Sequence, residues 1–383
     1  MAMTTCETAA GERATGPWRP AWSPGGTRPG LPPLTVVHDR GDDYAFMAAA
    51  LAAHTPAHGR ITVHPTPVAS APASLAHDLL RSLGKHLPVD GSPEAVGWAA
   101  QAEIAWRAVA AWMSVLRIGH IVVTRAHRIS SRHFEPLLAL RELTGIRLTL
   151  LCHGPVPPAL AAALPALAHE QVHTLAAARH ALEAAEPYGA PAPGRFVWWE
   201  ATAQFPPRPG EPCFLLPVRR RPSRTDIEAA SKRLGRTVLP LPAAGRFGPE
   251  PDEHTALLAH RLHARIAHPV HAAALALRIL TGRPATQLPG PAASGAGART
   301  PSGHPAGTPS WAAGFIAAGR CFGNLDRLCG EGPLRLTGWD QAAVGEAARI
   351  CALHEPEASG LRRGRACARP GSTRKSRSIP TTR

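Results

Sequence analysis

The stretch LTVVHDRGDDYAFMAAALA, residues 34–52, decides the fold of this chain. Its first five residues form a short, mostly apolar run that predicts a buried strand. The polar turn at 39–43 follows, and an Ala-rich helix is predicted over 43–54. A strand that enters a helix through a short turn brings backbone N–H groups and a helix N-terminus to one place.

Strand-like and helix-like segments alternate on the C-terminal side of this stretch. We expect further strands at 60–64, 120–123 and 146–151, and helices at 74–83, 93–118 and 131–143. Such alternation predicts an α/β fold, a parallel sheet covered by helices. In that fold the strands at 36–38, 121–123 and 148–151 should be adjacent and parallel, with their carboxyl ends on one side of the sheet.

The helix at 93–118 has the clearest sequence signals. Ser92 is a good N-cap and Pro93 suits the first helical position. Its apolar residues recur at spacings of four and three: Trp98, Ala102, Ala105, Val109, Trp112 and Leu116. This stripe predicts that the tryptophans belong to the core and do not stack on a ligand.

Composition divides the chain into six segments. The α/β domain is expected at 33–217, preceded by a disordered lead-in at 1–32. A mostly helical C-terminal region follows at 218–289, with a long helical stretch at 253–281 that breaks near Pro269. The remaining segments are a linker at 290–310, a small helical piece at 311–354 and a basic disordered tail at 355–383.

The charge balance favours acidic partners. The 383 residues carry a formal net charge of +15, which favours nucleic acid because counterion release increases with basic charge. Seven scattered cysteines without a CxxC pair argue against a disulfide framework or a zinc ribbon. An apolar run long enough to span a bilayer is missing from the sequence, so we expect a cytoplasmic protein without a membrane partner.

Two further stretches, IVVTRAHRIS at 121–130 and GIRLTLLCHG at 145–154, extend the pattern. Together with 34–45 they resemble the AAA-type P-loop ATPases, and among these most closely the bacterial transposition and secretion-type ATP-binding proteins. In that family an apolar strand runs into Asp-Glu-Ala-His-Arg, and a helix and a second strand follow. Ala126, His127 and Arg128 match the end of that motif. The resemblance covers residues 34–154.

The resemblance implies a nucleotide site that has lost its working residues. Of the pattern G-x-x-x-x-G-K-[ST], only an internal glycine survives, and a threonine and an arginine replace the two Walker B acids. A histidine occupies the sensor position, where it could donate a hydrogen bond. The other interpretation is a strand-end histidine at the surface. This degenerate nucleotide site comprises Gly41, Asp43, Tyr44, Ala45, Thr124, Arg125 and His153.

The family uses ATP and Mg²⁺, but the replaced residues argue against both in this chain. Tyr44 stands where the phosphate-binding lysine belongs and Ala45 where the Mg²⁺-binding hydroxyl belongs. Carboxylates at Asp39, Asp42 and Asp43 would repel a triphosphate. We therefore expect no cofactor and no catalytic residue.

The leading hypothesis is a pseudo-ATPase, a non-hydrolysing accessory protein that binds DNA or a partner ATPase or recombination protein. One alternative is an active ATPase with unconventional residues. Another is a basic nucleic-acid-binding protein unrelated to P-loop folds. A doubly wound domain of another family, in which Asp42 and Asp43 cap a helix, also stays open.

Two basic clusters are candidates for contact with nucleic acid, one before a helix near 225 and one in the tail. They comprise Arg219, Arg220, Arg221, Arg362, Arg363, Arg365, Arg374, Lys375 and Arg377. A histidine cluster on the helical stretch at 253–281 has no intervening acid of the HExxH kind, so we expect solvated helix histidines and no metal. Its members are His254, His260, His263, His268 and His271.

Overall fold

The computed structural model describes the α/β part of the chain and several C-terminal helices. The described residues are 30–67, 71–85, 87, 98–183, 239–240, 253–281, 310–323, 325, 343–345, 347–348 and 353–354. The cluster at 219–221 and the basic tail lie outside them. So do the predicted lead-in except for residues 30–32, and the linker except for its last residue, which begins a helix.

Among its described residues, the N-terminal part has five strands and six helices whose two ends are both defined. The strands are β1 (Leu34–His38), β2 (Arg60–Val63), β3 (His120–Val123), β4 (Arg147–Cys152) and β5 (His169–Val172). The helices are α1 (Tyr44–Ala52), α2 (Ser74–Ser82), α3 (Ala102–Leu116), α4 (Ser131–Thr144), α5 (Pro158–Ala163) and α6 (Leu175–Glu183).

The C-terminal part adds helices and one short strand pair. The helices are α7 (Glu253–Arg265), α8 (Pro269–Thr281) and α9 (Ser310–Gly323). The helical stretch predicted at 253–281 does break before Pro269. Two short strands, β6 (Leu239–Pro240) and β7 (Leu353–His354), pair in parallel.

The five-stranded sheet is parallel throughout, in the order β2-β3-β4-β1-β5. Leu150 of β4 lies between Val36 of β1 and Val123 of β3. The prediction that these three strands are adjacent and parallel is therefore confirmed, as is the α/β fold class. The family assignment is not tested by this sheet alone, since many α/β proteins share parallel sheets.

The prediction of one helix over 93–118 was wrong at its N-terminal end. α3 begins at Ala102 because Gln101 has an extended backbone, with φ −84° and ψ 109°. A short helical stretch at 98–100 precedes it, and Ser92 and Pro93 lie outside the described residues. The tryptophans of the predicted stripe, Trp98 and Trp112, are nonetheless buried as expected.

Helices cover both faces of the sheet. Alternate strand residues such as Val36, Ile121 and Leu150 face a large hydrophobic cluster that α2, α3, α4 and α5 share with the C-terminal helices. The intervening residues, including Val37 and Leu151, face a smaller cluster that α1 and α6 cover. Among the described residues, no helix has the length and apolar character to cross a bilayer.

The C-terminal helices pack against α3. The indole Nε1 of Trp112 donates to the carbonyl of Ala267 at 2.7 Å, and Arg107 donates to the carbonyl of Phe322 at 2.8 Å. Ala267 follows the end of α7 and Phe322 lies in the last turn of α9, where carbonyls have no N–H partner within the helix. These bonds therefore tie the ends of α7 and α9 to α3. Phe315 of α9 meets the Trp112 ring edge-on, with 6.1 Å between the ring centroids.

The expectation of solvated helix histidines is wrong for His263, His268 and His271, all of which are buried. They lie where α7 and α8 pack towards α3, so the packing removes them from water. His268 lies in the break directly before α8 and not on a helix face, but its ring stacks on that of His271 in the first turn of α8, with 4.0 Å between centroids. The side chains of His254 and His260 lie outside the described part.

A buried lysine lies at the centre of this packing. Lys85 is 1% exposed, and its Nζ lies 3.0 Å from Nδ1 of His263 and 3.3 Å from the centroid of the Trp112 ring. His263 Nε2 donates to the carbonyl of Leu83 at 3.0 Å, so Nδ1 accepts from the lysine. Burial holds the pKa of Lys85 well below its ordinary value of 10.5.

Lys85→Met should raise the free energy of unfolding at pH 7 by about 1–2 kcal/mol, because a buried ammonium costs more than an apolar chain of similar size. The unfolded chain binds the extra proton between the lowered pKa and 10.5, so wild-type stability should rise with pH in that window. Denaturant unfolding at pH 7 and pH 9.5 measures both effects.

In the Met variant this rise should be smaller, while Lys85→Arg, which keeps its charge, should be less stable than wild type at both pH values. A Met variant less stable than wild type at both pH values would mean that the charged contact with Trp112 outweighs the cost of burial.

Candidate functional site at the carboxyl edge of the sheet

The chain changes direction between β1 and β4, which are neighbours in the sheet. The connection after β1 leads past β4 and β3 to β2, whereas the connection after β4 leads past β1 to β5. In open α/β sheets, ligands bind beyond the carboxyl ends of strands at such a switch point. Asp39 and His153 are the residues that directly follow these two strands.

Asp39, Asp42 and His153 form a compact cluster at this point. Nδ1 of His153 lies 2.7 Å from Oδ2 of Asp39 and 3.2 Å from Oδ1 of Asp42. The side chains of His153 and Asp39 are only 4% and 3% exposed, whereas that of Asp42 is 75% exposed. The imidazole therefore donates its Nδ1 proton to a buried carboxylate, and the surface interpretation of His153 is wrong.

The backbone holds both members of this pair in place. The amide of Asp39 donates to the carbonyl of Cys152 at 2.9 Å, which extends the β1–β4 ladder by one residue. The amide of His153 donates to Nδ1 of His127 at 3.2 Å. The rings of His127 and His153 meet edge-on with 6.1 Å between centroids, so the loop after β3 also supports the cluster.

Carboxylates occupy the backbone amides of the turn. The amide of Asp43 donates to Oδ1 of Asp39 at 3.0 Å, and the amide of Ala45 donates to Oδ1 of Asp43 at 2.8 Å. These amides belong to the turn and helix N-terminus that would surround a phosphate in a P-loop protein. Here carboxylate oxygens of the chain itself take the place of the phosphate, so these two amides already have acceptors.

The two acids that could cap α1 have different roles. Asp43 is the N-cap residue and its side chain makes the capping bond. Asp42 adopts a left-handed backbone, with φ of 50°, and its carboxylate faces His153. The neighbouring Gly41 has no positive φ, and a Cβ there would meet only Oδ1 of Asp39 at 4.0 Å. The surviving glycine of the motif is therefore not required by this turn.

The predicted Walker B positions lie at the same edge but outside the cluster. Thr124 is buried, and its Oγ1 donates to the carbonyl of Val63 at 3.1 Å and lies 2.7 Å from Nδ1 of His64. Its hydroxyl thus links β3 to β2, away from β1. Arg125 follows in a left-handed conformation and is exposed, and Tyr44 at the start of α1 is 77% exposed.

The geometry includes residues that the sequence did not single out as a site. Asp39 is predicted only as a source of repulsion, yet it bonds both the turn and His153. His127 is predicted as part of a motif, and its contact with His153 is new. Their positions directly after β1 and after β3 are the signal that could have grouped them with His153.

Asp39, Asp42 and His153 could also hold a metal ion, since their donor atoms all lie within 4.8 Å of one another. Two carboxylate oxygens and one imidazole nitrogen suit Zn²⁺ or another transition metal better than Mg²⁺. A metal would have to displace the proton that His153 shares with the carboxylates, so binding would weaken as the pH falls. Among the described residues, this is the group of three that meets the geometry.

Fold and site together define an α/β protein with a parallel sheet whose switch point carries an internally bonded acidic turn. The chain matches no protein-family model, no curated protein and no solved structure with which it was compared. The relation to AAA-type ATPases thus stays a prediction from the motifs.

Asp43→Ala should lower the free energy of unfolding by about 1 kcal/mol, because it removes the side-chain acceptor that caps α1. Asp43→Asn is the matched control, since its amide oxygen still accepts from Ala45. Urea unfolding of the two variants beside wild type measures the difference. Equal losses in both variants would mean that the negative charge, and not the hydrogen bond, stabilises the helix.

Proposed function

We propose that this chain is a non-hydrolysing relative of AAA-type ATP-binding proteins that acts as a nucleic-acid-binding accessory protein. The observation that carries the proposal is that side-chain carboxylates already bind backbone amides of the turn after β1. Asp39 and Asp43 accept the hydrogen bonds that a bound phosphate would need, and they add negative charge beside it. A nucleotide would have to break these bonds and bring its own negative charge next to the carboxylates.

The sheet topology supports a distant relation to nucleotide-binding α/β proteins. β1 and β3 belong to one parallel sheet with only β4 between them. Gly41 and Thr124 consequently lie at the same edge, as the resemblance requires. The positions that should supply lysine, hydroxyl and acid hold Tyr44, Ala45 and Thr124, and the Thr124 hydroxyl is engaged with β2.

The alternative of an active ATPase has less support from this geometry. A phosphoryl transfer enzyme stabilises the moving group with a lysine, a metal ion and a residue that orients water. The nearest acid–base pair, Asp39 and His153, is buried, and Nδ1 of His153 is already engaged by Asp39. Nucleic acid is the partner class that the net charge of +15 favours.

The purified chain should release no phosphate from ATP above background, because each missing electrostatic element typically contributes a few kcal/mol of barrier lowering. A triple variant with Tyr44→Lys, Ala45→Thr and Thr124→Asp should stay inactive as well, since Asp43 keeps the turn closed to phosphate. A coupled phosphate assay with Mg²⁺ measures both, and calorimetry with Mg·ATP should show no binding heat. Magnesium-dependent release that disappears on changing Gly41 or His153 would establish the active-ATPase alternative instead.

Deletion of residues 361–383 should weaken DNA binding and flatten its salt dependence, because that stretch holds eight basic residues and no acidic one. The melting temperature should hardly change, since tail charges act through counterion release and not through packing. Anisotropy titrations at rising salt measure the slope. The matched control keeps the length of the tail and replaces its arginines and lysine with glutamine, and it should behave like the deletion. An unchanged slope would direct attention to the cluster at Arg219, Arg220 and Arg221.

A further inference from the structure

Four exposed arginines lie around the switch point, three of them on the side of β3. Arg125 and Arg128 lie in the loop after β3, Arg132 lies in the first turn of α4, and Arg40 lies in the turn after β1. All four are exposed. We name this set, Arg40, Arg125, Arg128 and Arg132, the basic rim.

The guanidinium groups of the basic rim are available for a partner. Within the part of the chain that the structure describes, ion pairs involve Asp78 with Arg81 and His153 with Asp39 and Asp42, and none involves the basic rim. Arg128 makes one weak contact, from its Nε to Nε2 of His127 at 3.3 Å. That contact leaves its terminal NH₂ groups, the usual donors to phosphate, unused.

Arginines of the basic rim lower the pKa of three histidines at this edge, although burial is the larger cause for each of them. Burial lowers the pKa of His64, and Arg125 lowers it further. Burial also lowers the pKa of His127, with added contributions from Arg128, His153 and Arg125 that outweigh the opposing effect of Asp42. The pKa of His38 is lowered first by burial and then by His173; the hydrogen bond to Gln171 opposes this shift, and Arg40 adds a smaller lowering.

The N-terminus of α4 adds to this potential. α4 is 14 residues long, and its N-cap residue Ser130 makes no side-chain capping bond. The Ser130 hydroxyl instead lies 3.1 Å from Nδ1 of His133. The positive end of the helix dipole thus lies next to Arg128 and Arg132 without a carboxylate cap to offset it.

The carboxylates at the same edge offset only part of this charge. Asp39 is buried against His153, and the carboxylate of Asp43 caps α1, so both are engaged internally. Asp42 is exposed, but it lies 3.2 Å from Nδ1 of His153. The turn after β1 therefore repels phosphate at its amides, whereas the loop after β3 attracts it.

One aromatic side chain stands out on this edge. Among the described residues, Tyr44 is the one large hydrophobic residue that is exposed, with an exposed fraction of 77%. It begins α1 directly after the acidic turn, close in sequence to Arg40. An exposed ring on the same edge of the sheet as exposed arginines suits an unpaired base, because stacking needs a free base face and the arginines pair with the backbone that carries it.

We infer that the basic rim and Tyr44 form a binding surface for single-stranded nucleic acid, with phosphates on the arginines and a base stacked on the tyrosine. This inference rests on the proposed function and names the surface and strand form that it would use. A duplex buries its base faces, so Tyr44 contributes little to duplex binding.

The test compares two matched double variants of the full chain. Arg125→Gln with Arg128→Gln removes two charges from the basic rim, and Arg117→Gln with Arg179→Gln removes two exposed charges elsewhere. Each pair includes one left-handed residue, since φ is 49° at Arg125 and 54° at Arg117, so backbone effects are balanced. The probe is a fluorescein-labelled 30-nucleotide single strand, with the duplex of the same sequence beside it.

The rim variant should bind the single strand about tenfold more weakly than wild type, and its salt slope should fall by about 1.4, or about 0.7 for each lost phosphate contact. The control pair should match wild type within about twofold on the same scale. Arg125→Lys with Arg128→Lys should restore the slope, because counterion release needs the charge and not the guanidinium shape. Tyr44→Leu should weaken binding of the single strand more than binding of the duplex.

Each failure has a distinct meaning. Strong binding that is equal in the rim and control variants would overturn this inference and leave the proposed function standing, with the DNA surface elsewhere on the chain. Equal losses of single-strand and duplex binding on Tyr44→Leu would overturn the preference for single strands. A wild-type chain that binds neither probe at low salt would overturn the nucleic-acid part of the proposed function, and the inference with it.

Discussion

The pairing of β1 with β4 on one side and β5 on the other is the constraint on which the site depends. Because β1 is an inner strand, its alternate residues must be buried on both faces, and helices must approach from both sides. The connections from β1 and β4 then leave in opposite directions. That divergence opens the crevice in which Asp39 and His153 meet.

The chemistry of this crevice depends on which groups accept hydrogen bonds from the backbone amides of the turn after β1. A turn whose amides point to one place must satisfy them, and phosphate, water or side-chain oxygen atoms can do so. In this chain Asp39 and Asp43 take that role, and His153 donates a hydrogen bond to the buried carboxylate of Asp39. At this edge, carboxylates therefore occupy the amides of the turn after β1, while the loop after β3 presents exposed arginines. The proposed loss of nucleotide binding and the proposed gain of a nucleic-acid surface are two results of one charge arrangement.

The C-terminal helices depend on a different kind of contact. They share the largest hydrophobic cluster with α3, and polar groups inside that cluster select their position. Lys85, His263 and the carbonyl of Leu83 form a short hydrogen-bonded chain in which each group has a defined donor or acceptor role. A buried polar chain of this kind costs free energy relative to an apolar core, and it stabilises one packing over its alternatives only if every member is satisfied.

The sequence by itself determined the elements and their class. Apolar runs of four to six residues, a capping aspartate before α1 and Gly145 after α4 predict β1 to β4, the helices between them and a parallel sheet. They do not predict β5, whose HEQV sequence is polar and mostly exposed. These signals are local, because they depend on residues within a few positions of one another. The tertiary structure alone decided which side chains meet. Asp39 and His153 are 114 positions apart, and Lys85 and His263 are 178 apart. Strand order and helix packing decide the burial of His153, His263 and Lys85. They also decide which arginines meet at the carboxyl edge of the sheet to form the basic rim. Local sequence patterns predict neither strand order nor helix packing.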